Sequence, residues 1–296
     1  PEKPYNFSTS FNLPEADEIV FARLYLNIWG GTNAYTCRVN TTINGTAIDV
    51  IDIGGTEDTN PVYDPNQTCV YGSGYGSWQA AYSGITDSLY LDGTSNVVDV
   101  TISDSSGSFD GRTIDATLVV VYKDQAIKRA LDYYLIEADG YMRRTPGSPG
   151  SPAERIFDIA SINTSNVIEA AYTAHYTHGT DGQLDHLYFN GTQLGGNDVA
   201  TGAMGTYGPD VLTFDVTDLL LPDSTVLYTV DEAVTGTSSE YSLNAKIALL
   251  EITHPWCTDP IVGDLNNDCR VDIVDFAMMA ENWLNCNLEP QSYCWE

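Results

Sequence analysis

Oxygen-bearing side chains recur at fixed spacing near the C-terminus. Asp264, Asn266, Asp268, Asp272 and Asp275 occupy positions 1, 3, 5, 9 and 12 of one loop, and the Arg270 carbonyl falls at position 7. One Ca2+ takes roughly six to eight oxygens from such a tight turn, so the spacing predicts a structural calcium site. Cys269 stands where a Gly normally makes the sharp turn, and Asp275 replaces the bidentate Glu. Ile273, Phe276, Ala277, Ala280, Trp283 and Leu284 follow at helical spacing, predicting a helix with an apolar stripe.

Catalytic constellations do not stand out. The chain has no Gly-x-Ser-x-Gly elbow, no His-Glu-x-x-His, no phosphate-binding glycine loop and no Cys-x-x-Cys. His175 and His178 sit three apart at a probable strand end, which points them to opposite faces. With Asp185 and His186 nearby they read as ordinary histidines in preference to metal ligands. A non-enzyme is expected.

Charge narrows the partners. The 296 residues carry 41 Asp+Glu against 12 Lys+Arg, a formal charge of −29. Nothing here could neutralise phosphates in number, so nucleic acid and anionic membrane surfaces are disfavoured and divalent cations favoured. No apolar run approaches the roughly 20 residues of a membrane span. Residue 1 is Pro with no charged-then-apolar leader after it, so any secretion signal is expected to lie outside this sequence.

The elements that must position these groups repeat. A strand at residues 19–28 precedes Asn44-Gly45, then Thr86-Asp87 and apolar runs at 97–102 and 116–122. The second half follows the same order: 167–176, Asn190-Gly191, Thr217-Asp218, 226–230 and 245–252. Asn-Gly between apolar residues is a strong two-residue hairpin signal. Strands with such turns and no long helical pattern between them predict an all-β chain of two Ig-like antiparallel β-sandwich lobes with a small C-terminal calcium-loop helical segment. The expected domains are a strand at 1–14, sandwiches at 15–125 and 126–255, and a knob at 256–296. Residues 143–152, rich in Pro, Gly and Ser, read as a loop or linker. The insertion from about 54 to 83 carries Tyr63, Tyr71, Tyr75, Trp78 and Tyr82, which cover the sandwich edge or stack on sugar rings.

Six Cys read as local staples of an oxidising compartment. A helix over 273–284 is roughly 16–18 Å long, which keeps Cys269 and Cys286 apart. Cys257–Cys269 with Cys286–Cys294 is the favoured tail pairing, and the one remaining alternative stays open. Cys37 and Cys69 are left for the first lobe. Asn-x-Ser/Thr sequons occur at Asn6, Asn40, Asn44, Asn66, Asn163 and Asn190, although Asn44 and Asn190 have a competing role as hairpin turns.

At the N-terminus, Tyr5, Phe7, Thr9, Phe11 and Leu13 alternate with polar residues between Pro4 and Pro14. This strand pairs within its own lobe, or it leaves and completes a neighbour's sandwich, as donor strands do in bacterial pili. The blocks Phe21-Ala-Arg-Leu-Tyr-Leu-Asn-Ile-Trp-Gly-Gly31, Phe109-Asp-Gly-Arg112, Asp181-Gly-Gln-Leu-Asp-His-Leu-Tyr-Phe-Asn-Gly191 and Phe214-Asp-Val-Thr-Asp218 resemble a family of secreted archaeal and bacterial surface proteins. That resemblance covers about residues 14–254 and implies paired Ig-like sandwiches at a cell surface, with no catalytic residues. The C-terminal loop resembles half of a type I dockerin, which implies a calcium-stabilised knob or a docking module.

The expected function is an extracellular or cell-surface structural subunit, polymerising with itself into a fibril, pilus-like filament or surface layer through its N-terminal strand. The alternative is a carbohydrate-binding surface protein that uses Tyr71, Tyr75 and Trp78 on glycans. Chelation is expected to loosen residues 256–296 before it touches either sandwich. Hydrogen exchange with and without EDTA checks this; protection lost first in residues 15–255 would contradict it.

Overall fold

The computed structural model describes residues 5–30, 34–54, 61, 63–72, 76–107, 110, 112–127, 129–143, 153–179, 181–202, 209–230, 238–239, 242–256, 261–265 and 270–281. The first half supplies β1 (Tyr5–Asn12), β2 (Glu18–Trp29), β3 (Thr36–Ile43), β4 (Thr46–Ala47), β5 (Ile51–Gly54), β6 (Cys69–Gly72), β7 (Ser77–Tyr82), β8 (Ser95–Ser103) and β9 (Arg112–Lys123). The second supplies β10 (Ala130–Arg143), β11 (Ala153–Ile159), β12 (Glu169–Thr177), β13 (Gln183–Phe189), β14 (Thr192–Leu194), β15 (Pro209–Asp215), β16 (Ser224–Val230), β17 (Ser238–Ser239) and β18 (Ser242–His254). One α-helix, α1 (Ile273–Glu281), follows among the described residues. The chain is nearly all β, with antiparallel sheets in a sandwich-like arrangement.

In the first lobe, β1-β8-β3 with β4 and β5 forms an outer sheet and β6-β7-β2-β9 an inner one. Leu24, Leu26, Ile28, Val39, Trp78, Val98 and Val100 close the core between them. In the second lobe the inner sheet is β10-β18-β12-β15 and the outer one β11-β16-β13, with β14 and β17 on β13. Tyr172, Tyr176, Phe189, Val226, Tyr228 and Leu250 fill that core.

The internal echo of the sequence reappears as topology. The path β1-β8-β3-β4 in one lobe matches β11-β16-β13-β14 in the other. Each lobe turns on its Asn-Gly hairpin, where Asn44 and Asn190 take φ 52° and 47°. Asn44 Nδ2 donates to the Ser88 carbonyl at 2.8 Å and its Oδ1 accepts the Val97 N–H at 2.8 Å. Asn190 Nδ2 donates to the Leu219 carbonyl at 2.7 Å and its Oδ1 accepts the Thr225 N–H at 2.8 Å. Each amide thus ties its hairpin both to the short 3-10 turn and to the neighbouring strand.

Two expectations meet the structure here. Within this chain the N-terminal strand takes the first of its two expected places, in its own lobe: β1 pairs antiparallel with β8 from Tyr5↔Ile102 to Asn12↔Ser95. Phe7, Phe11 and Leu13 pack on the first core, Tyr5 is exposed, and Thr9 is half-buried. The place β1 holds is the one β11 holds in the second lobe. Secondly, Cys37 and Cys69 are free thiols. Cys37 lies in the core between the sheets, whereas Cys69 packs on the opposite face of the inner sheet. Cys257, Cys269, Cys286 and Cys294 lie outside the described residues, as does linker 144–152.

Asn190→Ala would remove these bonds and leave a non-Gly residue at positive φ, a loss of about 2–4 kcal/mol. A fall in the urea midpoint at unchanged m-value is expected, with Asn44→Ala behaving alike.

Candidate functional site

The two inner sheets face each other, and the seam between them holds the molecule's unusual chemistry. Along β2, Ala22, Leu24, Leu26 and Ile28 point into the first core. Strand alternation sends Phe21, Arg23, Tyr25, Asn27 and Trp29 the other way, towards the second lobe. Arg23, Tyr25 and Asn27 have no exposed surface, so β2 is buried on both faces.

Arg23 meets Glu137 of β10 across the seam, and neither side chain is exposed. Its Nη2 donates to Glu137 Oε2 at 2.9 Å, and its Nη1 donates to the Gln67 carbonyl at 2.9 Å. Tyr71 donates its hydroxyl to Glu137 Oε2 at 2.6 Å, and Tyr25 donates to Oε1. Burial, then the Glu137 carboxylate, push both phenols well above the usual tyrosine range. Burial works against the Arg23 charge, but the hydrogen bond and charge of Glu137 outweigh it, and the guanidinium stays firmly protonated. Tyr25, Tyr71, Ala81 and Ile247 surround this point with apolar surface.

Two more polar contacts continue the seam. Asn27 Nδ2 donates to Asp115 Oδ1 at 2.8 Å, and Asp115 Oδ2 lies 2.9 Å from His175 Nε2 of the second lobe. Farther along, Lys246 Nζ and Asn244 Nδ2 both donate to Ser77 Oγ, at 2.8 and 3.1 Å. His178 was expected on the face opposite His175. It packs instead against Trp29 of the first lobe, with centroids 5.3 Å apart, because β12 ends at Thr177 and φ at His178 is 72°.

A carboxylate sealed under two phenols and a guanidinium cannot exchange protons with a substrate. It acts as a rivet. At the mouth of the seam the chemistry is open: the Tyr63 ring lies over Arg23, 5.8 Å from Cζ to centroid, and is 41% exposed. Phe21 and Tyr133 meet across the two lobes beside it, with centroids 5.8 Å apart. The sugar-stacking candidates Tyr71 and Trp78 are not available there. Tyr71 is bound into the rivet and Trp78 into the first core; Tyr75 lies outside the described residues.

A second buried acid sits at the far end of the second lobe. Asp185 Oδ1 accepts the N–H groups of Val199 and Ala200 at 3.0 and 3.1 Å. Burial pushes its carboxyl up to about 7 despite those bonds. Asp210 holds the same loop through the Gly202 N–H at 2.6 Å, so this pair fastens the backbone.

The calcium-loop residues lie partly within view. Asp264, Arg270, Asp272 and Asp275 are described, and Asn266 and Asp268 are not. Asp275 is 2% exposed; its Oδ1 accepts the Leu265 N–H at 2.7 Å and its Oδ2 the Asp272 N–H at 2.8 Å. Among the described residues no group of three or more His, Cys, Asp or Glu side chains gathers to hold a metal ion, and the loop is described only in part. The apolar stripe expected on the helix is not buried: Ile273 is 75% and Phe276 57% exposed.

Sequence reasoning missed the seam. The strand reading of residues 19–28 gives no role to Arg23 and Asn27, yet the other positions on their face of β2 are Phe21, Tyr25 and Trp29. Three aromatics sharing that face are the signal.

Glu137→Ala would leave a buried guanidinium and two phenols without their partner, costing about 3–5 kcal/mol. Replacing the pair together, Arg23→Met with Glu137→Leu, is expected to recover most of that. Urea unfolding of both variants checks the rivet, and a Glu137→Ala cost near zero would refute it.

No curated protein sequence matches the chain. Among solved structures, it is similar to BuGH86 in complex with neoagarooctaose, at 12% identity and a TM-score of 0.29, covering 85% of this chain and 32% of that one. It is similar to BpGH86A, a beta-porphyranase of glycoside hydrolase family 86 from the human gut bacterium Bacteroides plebeius, at 12% identity and 0.28, covering 79% and 35%. PNGase F, a glycosylasparaginase from Flavobacterium meningosepticum, matches at 9% identity and 0.29, covering 84% and 89%. The chain thus spans about a third of the length of the first two, and likeness at this level bears on neither activity nor ligand. Residues 2–253 match the model of the protein family of unknown function DUF3344, and the chain belongs to that family.

Proposed function

We propose that the chain is a non-enzymatic carbohydrate-binding protein of the cell surface or extracellular space, carried on two sandwiches riveted into one body. The observation that carries this reading is the aromatic rim at the seam, where Tyr63 lies half-open over Arg23 beside Phe21 and Tyr133. A sugar offers a C–H face that stacks on such a ring and hydroxyls that need polar partners at its edge. Asp64, Asn66 and Gln67 stand next in the chain to provide them. A rim held by a buried ion pair is ordered before the ligand arrives, which lowers the cost of binding.

Assembly into a filament by insertion of β1 into a neighbour is the weaker reading. It requires β1 to leave a position that it already fills, in register along its whole length. A structural Ca2+ on Asp264, Asn266, Asp268, Asp272, Asp275 and the Arg270 carbonyl belongs to the proposal on their spacing, with its role confined to the C-terminal knob.

A glycan array followed by calorimetry tests the sugar reading. Binding is expected to weaken at least about tenfold in Tyr63→Ala, equivalent to roughly 1.4 kcal/mol, with the urea midpoint little changed. No binding to any glycan, or full binding by Tyr63→Ala, would refute it.

A further inference from the structure

Six sequons are spread over the chain, and the structure sorts them by what each amide is already doing. N-linked transfer forms a bond between Asn Nδ2 and the anomeric carbon of a lipid-linked diphospho-oligosaccharide. The anomeric C–O bond to the diphosphate breaks, one amide proton passes to the transferase's base, and the lipid diphosphate leaves. The acceptor needs an uncommitted Nδ2 at the surface and a backbone that lets the hydroxyl two residues on swing beside it.

Asn44 and Asn190 fail on the first requirement. Asn44 Nδ2 donates to the Ser88 carbonyl and to Asn96 Oδ1, the latter at 2.9 Å. Asn190 Nδ2 donates to the Leu219 carbonyl and to Ser224 Oγ, the latter at 3.0 Å. Asn40 lies within β3, and its Nδ2 donates to Ser103 Oγ at 3.1 Å. Asn6 fails on the second requirement: it is fixed in the β1–β8 ladder, and the Ser8 hydroxyl of its sequon donates away to Asp99 Oδ1 at 2.6 Å.

Asn66 is exposed, but the Thr68 hydroxyl of its sequon donates away to Asp49 Oδ2 at 2.7 Å, so it fails as Asn6 does. Asn163 satisfies both. It is exposed, and its Oδ1 accepts the Ser165 N–H at 3.1 Å. That Asx turn curls the sequon so that the Ser165 hydroxyl comes back towards the amide. Asn163 Nδ2 donates no hydrogen bond among the described residues.

We infer that the folded protein accepts N-linked glycan at Asn163, and that Asn44 and Asn190 serve as locks closed to modification. The test uses the full folded chain from a host without N-glycosylation, a single-subunit oligosaccharyltransferase and a lipid-linked oligosaccharide, with an unstructured sequon peptide in the same tube. Glycopeptide mapping is expected to find glycan on Asn163 and none on Asn44 or Asn190. The variant Asn163→Gln should lose at least nine-tenths of the transfer. Modified peptide beside unmodified protein, or glycan at Asn44 or Asn190, would overturn the inference.

Discussion

Everything in this fold answers to the burial of Glu137 against Arg23. Taking a carboxylate and a guanidinium out of water costs several kcal/mol for each ion, and their attraction offsets this only when the remaining lone pairs and protons are also used. Here they are used by Tyr25, Tyr71 and the Gln67 carbonyl. Those partners come from β2, β6, β10 and the segment before β6, so the registers of both inner sheets are fixed at one point. The same demand orders part of the long insertion of the first lobe, because residues 65 and 67 must turn their carbonyls towards Arg23. With both faces of β2 buried, the first lobe's inner sheet is an interior layer of the whole molecule.

The two lobes solve their outer edges alike. Each outer sheet ends on a strand that pairs with one neighbour: β1 on β8, and β11 on β16. An exposed edge is a template for another chain. In β1 the outward residues Asn6, Ser8, Ser10 and Asn12 are polar, which keeps that edge wet while Phe7 and Phe11 anchor it to the core. The alternation that suggested a strand for export is equally what an edge strand at home requires, and within this chain β1 lies on β8 of its own lobe.

That comparison shows where the sequence was legible. Period-2 runs located β2, β8, β9, β12 and β18, since one buried face imposes alternation whatever covers the other. The Asn-Gly pairs located both hairpins, because positive φ at two successive residues leaves few choices. Longer-range facts were hidden. Glu137 sits in β10, which carries no periodic signature, and its partner Arg23 is 114 residues away. Cys37 and Cys69 could be paired only by elimination, and elimination cannot see that a sheet lies between them. Tyr71 and Trp78 looked like one aromatic patch, yet they lie on neighbouring strands with side chains on opposite faces of the inner sheet.

The net charge also reads differently once the seam is known. Only 12 Lys+Arg stand against 41 acids, yet Arg23 and Lys246 are both placed in the seam, essentially without exposure. Arg23 meets Glu137 and Lys246 donates to Ser77 Oγ, so both buried cations have partners in the seam. The surplus acid is left on outward faces, where water and salt screen it within roughly 8–10 Å. A seam with surplus carboxylates would drive the lobes apart at short range and low dielectric, where repulsion is strongest. The same distribution bears on partners. Outward faces this acidic repel polyanions and further copies of the chain, but they impose no such penalty on a neutral ligand. The aromatic rim sits where the seam reaches the surface, beside the buried Arg23–Glu137 pair, and sets apolar ring faces amid that acid.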